Sequence, residues 1–257
     1  MRLTGAVCLV TGASSGIGAA AAVRLARSGA RVLIAGRDTT RLGELAGRLG
    51  GQLAGIPIVA DLGHADGPDL LAEQALAQVG RVDVLVNNAG VGWAGGLDTM
   101  PPAQIARLVA VNLTAPLVLT RLLLPGMRER GRGRVVMVSS IAGCVGVGWE
   151  AVYAATKAGM NAFCDSLHDE LAGTGVGVST VVPGVVDTEF FARRGTPYRR
   201  TRPRPIPPAR VADAILTAVR GDRAEVYVPA WMRLPARLHG ALPGTFRRFA
   251  AGASRAG

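Results

Sequence analysis

Tyr153 and Lys157 are the residues of this sequence whose types and spacing most clearly suggest chemistry. Lys157 is the only lysine, because the other 28 of the 29 Lys and Arg residues are arginine. The two residues are four positions apart, so on a helix their side chains project from the same face. A nearby ammonium group stabilises a phenolate and lowers the pKa of the phenol, which lets a tyrosine act as a general acid or base. Alone, the pattern is better explained by an amphipathic helix with an ordinary exposed lysine.

A glycine-rich turn near the N-terminus supplies the context that the pair lacks. Residues 6–10 are an apolar run typical of a strand, residues 19–30 are typical of a helix, and T-G-A-S-S-G-I-G lies between them. Glycines let the backbone approach a phosphate, and the start of the following helix offers free N–H groups to an anion. A connecting loop is the alternative, since the spacing differs from the commonest dinucleotide-binding pattern. The candidate phosphate-binding residues are Gly12, Ser14, Ser15, Gly16, Ile17 and Gly18.

Four further motifs follow in order along the chain. They are N-N-A-G at 87–90 after an apolar run, Asn112 in V-N-L-T, Ser140 at the end of V-V-M-V-S-S, and P-G-V-V-D-T at 183–188. Together with the glycine turn and the Tyr-Lys pair, they resemble the short-chain dehydrogenase/reductase family in its single-domain form. The resemblance runs from about Met1 to Pro229.

The resemblance implies a role for each matched residue. It implies that Tyr153 exchanges a proton with the oxygen of a ketone, aldehyde or alcohol, and that Ser140 hydrogen-bonds this oxygen. Lys157 is implied to bind the nicotinamide ribose and to lower the pKa of Tyr153, and Asn112 to hold a water in the proton relay. The remaining positions implied to contact the cofactor are Asn88, Ala89, Gly90, Pro183, Gly184, Val186 and Thr188, beside Tyr153 and Lys157 themselves.

The end of the second apolar run indicates which cofactor is preferred. An NAD site usually has an acidic residue there, which accepts from the ribose 2′-hydroxyl. This chain has Gly36 followed by Arg37, and an arginine can pair with a 2′-phosphate. We therefore expect NADP(H) to be preferred over NAD(H), although Arg37 in a solvated loop is the plain alternative. Asp61, with Leu62 beside it, matches the family's adenine-contacting aspartate, and a helix-capping role explains Asp61 nearly as well.

The fold can be predicted from the apolar runs without the resemblance. Runs at 6–10, 31–35, 56–60, 82–87, 134–139, 176–182 and 224–228 alternate with stretches long enough for helices. Continuously apolar strands are typical of a parallel sheet covered on both faces. We predict an α/β fold, a Rossmann-like doubly wound parallel sheet of about seven strands flanked by helices on both faces. One domain is expected to span 1–257.

The formal net charge of +11 lies entirely in residues 190–257, which contain 14 Arg and three acidic residues. Segment 190–210 is rich in Pro and Arg and corresponds to the family's substrate lid. Segment 230–257 is a basic amphipathic extension in which Trp231, Leu234, Leu238, Leu242, Phe246 and Phe249 recur at three- and four-residue intervals. Three explanations compete: packing in the core or a subunit interface, peripheral contact with an anionic membrane, and recognition of an anionic, carrier- or lipid-linked substrate. No nucleic-acid partner is expected.

The remaining features bound the location and the substrate. Three cysteines form neither a disulfide framework nor a metal pattern, and we expect no metal and a reducing cytoplasm. No signal peptide is expected, nor any apolar run near the ~20 residues that span a bilayer, so at most a peripheral membrane protein is predicted. The predicted pocket residues Trp93, Cys144 and Trp149 favour a bulky, apolar carbonyl or alcohol.

The resemblance also implies a homodimer or homotetramer. Two other functions stay open: a cofactor-binding regulator or scaffold that does no chemistry, and an epimerase or dehydratase on the same fold.

Overall fold

The computed structural model describes residues 1–51, 54–198, 203–221 and 223–246. Within them, seven strands form one parallel sheet in the order β3-β2-β1-β4-β5-β6-β7. The strands are β1 Val7–Thr11, β2 Arg31–Gly36, β3 Gly55–Val59, β4 Val84–Asn87, β5 Gly133–Val138, β6 Val176–Pro183 and β7 Glu225–Val228. Each lies within two residues of an apolar run in the sequence, so the predicted fold class is confirmed.

Helices alternate with the strands. They are α1 Gly16–Arg27, α2 Thr39–Arg48, α3 Gly67–Val79, α4 Pro102–Val109, α5 Ala115–Glu129, α6 Ala142–Val145, α7 Ala151–Glu170, α8 Phe190–Arg193, α9 Pro208–Arg220 and α10 Arg233–Ala241. Successive side chains of a strand point to opposite faces of the sheet. Accordingly Cys8 and Val10 of β1 pack with α1, α2 and α9, whereas Leu9 packs with α3, α5 and α7. Both faces are covered, which explains why the strands are apolar throughout.

The strand order reverses direction at β1, whose neighbours are β2 on one side and β4 on the other. In an open α/β sheet, this reversal leaves a crevice beyond the carboxyl ends of the strands, where ligands bind. The motifs found in the sequence follow the strands at that edge. The fold therefore places the glycine turn, N-N-A-G, Ser140 and P-G-V-V-D-T around one crevice.

A π-helical turn at Ala110–Thr114 joins α4 to α5. Such a turn interrupts the regular hydrogen-bond ladder of the helix and is frequent at functional sites. The joined helix Pro102–Glu129 is the one described segment long and apolar enough to cross a membrane. An 18-residue window of it has a mean hydropathy of 1.7, and 44% of that window is buried inside the protein. The expectation that no such segment exists is therefore wrong by length and composition. The reason is that α4 and α5 are continuous across the turn, which the sequence pattern did not indicate.

The described part of the C-terminal segment contains a shorter helix than its continuous amphipathic pattern predicts. Helix α10 stops at Ala241, Pro243 follows, and a further helical turn spans 243–246. Trp231, Leu234 and Leu238 are 54%, 74% and 48% exposed. The predicted position of Phe249 lies outside the described residues, as do positions 199–202 of the predicted lid. The division into one domain with a lid and an extension stays a prediction.

Candidate active site

A cavity of about 1190 Å³ opens at the carboxyl edge of the sheet. It runs from Arg37 and Asp61, past the glycine turn, to Tyr153 and Lys157. The volume exceeds the usual range of about 300–1,000 Å³ for a small-molecule site, so two ligands can bind side by side.

The glycine turn brings the backbone of α1 close to the end of β4. Gly12 and Gly16 have φ values of +64° and +57°, which a residue with a Cβ adopts only with strain. A Cβ at Gly18 would lie 2.3 Å from the carbonyl oxygen of Gly12 and 2.6 Å from Nδ2 of Asn88. Ser15 precedes α1, its side chain makes no capping bond, and the first turn has no acidic residue. The start of α1 is thus suited to an anion, and the turn fits the phosphates of a dinucleotide.

The reacting end of the cavity is built by α7 and the end of β5. Tyr153 and Lys157 lie on the same face of α7, 9% and 3% exposed. The hydroxyl of Ser140 lies near that of Tyr153 and acts to lower its pKa. Nζ of Lys157 donates to the carbonyl oxygen of Val138 at 2.8 Å and lies 5.9 Å from the centre of the Tyr153 ring. A proton donor, a second hydroxyl and a cation thus meet at one point.

Burial determines the titration of both residues on α7. It raises the pKa of Tyr153 to about 12, and the hydrogen bond with Ser140 and the charge of Arg194 only partly oppose it. Burial also lowers the pKa of Lys157 to about 8. The direction of the Tyr153 pKa shift is opposite to the lowering expected from Lys157, because removing the phenol from water outweighs any stabilisation of the phenolate.

The lowered pKa of Lys157 predicts a pH dependence of stability. Between pH 8 and the pKa of the unfolded lysine, the unfolded chain binds a proton that the folded chain lacks, so stability rises with pH. We expect the free energy of unfolding of the wild type, relative to Lys157→Met, to increase over this window by at most about 1.4 kcal/mol per pH unit. Urea unfolding at a series of pH values measures the difference. Parallel curves of unfolding free energy against pH for the two proteins would contradict the prediction. Because both proteins contain the same cysteines, the titration of the cysteines cancels in the comparison.

Asn112 lies in the π-helical turn and is fully buried. Its Oδ1 accepts from the N–H of Val91 at 2.8 Å, and its Nδ2 donates to the carbonyl oxygen of Val91 and the hydroxyl of Thr156. The side chain therefore fixes the loop after N-N-A-G to the helix, and it does not line the cavity. A role in holding water, which the resemblance implies, would fall to the backbone at this irregular turn.

The adenosine end of the cavity lies at the carboxyl ends of β2 and β3. Gly36, Arg37, Asp61 and Leu62 line it. Nη1 of Arg37 lies 3.8 Å from Asp61 Oδ2, and Oδ1 of Asp61 accepts from the N–H of Gly63 at 2.9 Å. Asp61 lines the cavity and closes a turn, but it does not cap α3, whose N-cap is Asp66. Strand β2 ends at Gly36, which has no carboxylate, and Asp38 accepts from the N–H of Arg41 at the start of α2.

The remaining predicted cofactor positions line the middle of the cavity. Apart from Gly18, which is packed behind the turn, they are Gly12, Ser14, Ser15, Gly16, Ile17, Asn88, Ala89, Gly90, Pro183, Gly184, Val186 and Thr188. Nδ2 of Asn88 donates to the carbonyl oxygen of Thr11 at 2.9 Å, which joins β4 to the glycine turn. The residues present therefore fit a nicotinamide dinucleotide along the whole groove.

Two of the three predicted substrate-pocket residues lie elsewhere. Trp149 lines the cavity and is 73% exposed, with a φ of +68°. Trp93 packs behind Tyr153 in a small apolar cluster, and Cys144 points to Asn161 and Tyr227. The prediction is therefore wrong for Trp93 and Cys144, because position along a loop or short helix does not show which way a side chain points.

The family model for short chain dehydrogenases matches residues 6–198 of the chain. The chain belongs to the short-chain dehydrogenase/reductase family. A relative described as the ketoacyl reductase HetN, from Nostoc sp., is 38% identical over 236 residues, covering 88% of this chain and 79% of the relative. As a member of this family, this short-chain dehydrogenase/reductase is an NAD(P)-dependent enzyme.

Solved structures of family members support the same assignment. A short-chain dehydrogenase from Sphingobium yanoikuyae in complex with NADPH is 30% identical, with a TM-score of 0.82, covering 93% of this chain and 96% of that one. A 3-ketoacyl-(acyl-carrier-protein) reductase from Brucella melitensis complexed with NADH is 29% identical, with a TM-score of 0.81, covering 88% and 97%. The two structures hold different nicotinamide cofactors, so family membership does not decide between them.

The lid of this short-chain dehydrogenase/reductase brings in residues that the sequence analysis did not single out. Phe190 packs on the ring of Tyr153, with 5.5 Å between ring centres. A guanidinium nitrogen of Arg194 donates to Glu150, and the two side chains are 8% and 15% exposed. Arg194 also lies over the ring of Phe191, at 4.6 Å. These side chains line the cavity beside Tyr153, and only the aromatic and basic composition of 190–198 hinted at them.

Proposed function

We propose that this enzyme reduces a ketone or aldehyde to an alcohol, and catalyses the reverse oxidation, with NADP(H). One observation carries the proposal: Tyr153, Ser140 and Lys157 meet at the inner end of a groove that fits a dinucleotide, under an aromatic lid. When bound, the reduced nicotinamide supplies a hydride to the carbonyl carbon.

The side chains then supply the proton chemistry. Because its pKa is raised to about 12, Tyr153 is protonated throughout the neutral range and is ready to donate to the carbonyl oxygen. Ser140 hydrogen-bonds the same oxygen and so holds the carbonyl in place. Lys157, beside the tyrosine, stabilises the phenolate left after proton transfer, an interaction that gains strength in a cavity from which water is excluded.

The substrate end of the cavity favours a bulky apolar substrate. Trp149, Phe190, Phe191 and Met232 line it. Two relatives are named as ketoacyl reductases, which makes a 3-ketoacyl thioester the first compound to test. The lid arginines would suit a thioester on a phosphate-bearing carrier.

The experiment is NADPH oxidation against a panel of aliphatic, steroidal and 3-ketoacyl-thioester ketones. Turnover of at least one class supports the reductase. Tight NADPH binding without any turnover would favour the non-catalytic regulator or scaffold, and conversion of a substrate without net NADPH oxidation would favour an epimerase or dehydratase.

Arg37 provides a test of cofactor preference. The side chain is 54% exposed at the adenosine end, and its contact with Asp61 is long enough to be exchanged for a 2′-phosphate. We expect Arg37→Gln to weaken NADPH binding about tenfold and to leave NADH binding unchanged, as expected for the loss of one charge-assisted contact. Fluorescence titration with both cofactors measures this. Equal weakening of both would show that Arg37 does not read the 2′-phosphate.

We also propose a homo-oligomer formed through α5 and α7. Val109, at the end of α4, is 38% exposed, and Leu113, Leu122, Leu124 and Phe163 are only partly buried on the same layer of helices. Analytical ultracentrifugation tests this, and a monomer at micromolar concentration would refute it.

A cytoplasmic location with peripheral membrane contact is the remaining proposal. The exposed stripe Trp231, Leu234, Leu238 and Leu242 lies beside Arg233, and an amphipathic basic helix of this kind binds anionic lipid. Sedimentation with phosphatidylserine vesicles at low salt tests it, and Leu234→Ser, at a position that is 74% exposed, should reduce the bound fraction. Absence of binding would remove the proposal.

A further inference from the structure

A chain of four polar side chains crosses the cofactor groove. One carboxylate oxygen of Glu189 accepts from Nη1 of Arg41 at 2.8 Å and from a guanidinium nitrogen of Arg193. The other terminal nitrogen of Arg193 donates to the hydroxyl of Ser15 at 3.4 Å. Arg41 belongs to α2, Ser15 precedes α1, Arg193 belongs to the predicted lid, and Glu189 directly precedes it. We call Arg41, Glu189, Arg193 and Ser15 the groove strap.

The groove strap lies where phosphates are expected. Ser15, Gly16, Glu189 and Arg193 all line the cavity. The hydroxyl of Ser15 makes no capping bond to α1, so it is free to accept from Arg193. The guanidinium of Arg193 therefore lies beside the helix start whose N–H groups and positive dipole end suit an anion.

Glu189 is the partner of both guanidinium groups in the structure. Its pKa is lowered, first by the hydrogen bond from Arg41, so the carboxylate is charged at neutral pH. All three strap side chains that carry charge are between 39% and 52% exposed, however. Exposed ion pairs of this kind are weak because water competes for both partners, whereas a pyrophosphate at the start of α1 would also accept from the backbone N–H groups there. A phosphate bound at the start of α1 can thus displace the carboxylate.

We propose that Arg193 is a ligand of the cofactor pyrophosphate, supplied by the lid, and that Glu189 competes with the pyrophosphate for this guanidinium. The carboxylate acts as an internal substitute for the phosphate and holds the lid across the groove until the cofactor replaces it. This rests on the nicotinamide-dinucleotide binding of the proposed function and does not depend on the reaction catalysed.

Binding of cofactor fragments tests the proposal without any turnover. ADP contains the pyrophosphate but no 2′-phosphate. Adenosine 2′-phosphate contains the 2′-phosphate but no pyrophosphate. We expect Arg193→Gln to weaken ADP, NADPH and NADH about tenfold and to leave adenosine 2′-phosphate unchanged. Glu189→Gln should tighten ADP and NADPH about threefold, the effect of losing a surface ion pair. When Glu189→Gln is combined with Arg193→Gln, the tighter binding of ADP and NADPH caused by Glu189→Gln should disappear.

Matched controls separate this effect from a general change in surface charge. Arg237→Gln and Asp213→Asn each break an exposed ion pair away from the cavity and should leave all four affinities unchanged. Thermal unfolding of every variant checks that the lid substitutions leave the fold intact.

Three outcomes would overturn the proposal. The first is that Arg193→Gln binds ADP with the same affinity as the wild type. The second is that Glu189→Gln binds ADP more weakly than the wild type. The third is that Arg193→Gln changes only the affinity for adenosine 2′-phosphate. A wild-type protein that binds neither NADPH nor ADP would instead refute the proposed function. Normal fragment affinities with the expected strap effects but no ketone reduction would support the strap and refute the reductase.

Discussion

Replacing Tyr153 with phenylalanine is expected to lower ketone reduction about a thousandfold while NADPH binding is retained. Proton donation by a positioned side chain contributes about 10²–10⁴ to a rate, and the hydroxyl of Tyr153 is the group to which we assign this step. The substitution removes only the hydroxyl, so the packing of the ring on Phe190 remains. Steady-state NADPH oxidation and fluorescence titration measure the two quantities.

Tyr227→Phe is the matched control for this substitution. Tyr227 also has a hydroxyl whose pKa is raised, first by burial, and it does not line the cavity. Its activity should equal that of the wild type. If Tyr153→Phe and Tyr227→Phe turned over substrate at the same rate, Tyr153 would not be the proton donor.

Gly18→Ala is expected to weaken NADPH binding by at least about tenfold and to destabilise the fold. The added methyl would lie 2.3 Å from the carbonyl oxygen of Gly12, a backbone atom that cannot move without shifting the glycine turn. Overpacking of this kind costs about 1–3 kcal/mol, and the shift would displace the N–H groups that face the phosphates. Fluorescence titration and urea unfolding measure the two effects.

Gly43→Ala provides the control on another helix. Gly43 lies inside α2, and a Cβ there meets nothing within 4 Å. This substitution should stabilise the protein by up to about 1 kcal/mol, since alanine favours the helix, and should leave NADPH binding unchanged. An affinity of Gly18→Ala equal to that of Gly43→Ala would show that the close approach at the glycine turn is dispensable.

Much of the fold could be predicted because the signal lies in consecutive residues. A strand buried on both faces is apolar at every position, so β1 and β6 were apparent from composition alone. The strand-turn-helix context likewise identified the glycine turn. The continuity of α4 and α5 escaped prediction because a π-helical turn has no distinctive composition.

The site was predictable where a residue's role follows from its position on an element. Ser140, at the end of a strand, and Tyr153 and Lys157, four apart on a helix, meet as their spacing predicts. Trp93 and Cys144 were misplaced because their orientation depends on tertiary packing. The pairing of Glu150 with Arg194 joins residues 44 positions apart, and no local pattern reports such a contact.

The isolation of Lys157 has a practical consequence for labelling. Lys157 is the one lysine of the chain, and its buried ε-amine donates to the carbonyl oxygen of Val138. With a pKa of about 8, the ε-amine is partly unprotonated, and hence nucleophilic, in mildly alkaline buffer. Reductive methylation with ¹³C-formaldehyde would therefore give one lysine signal in the NMR spectrum. This signal reports on the proposed catalytic site, and its protection by bound cofactor can be followed without assigning any other resonance.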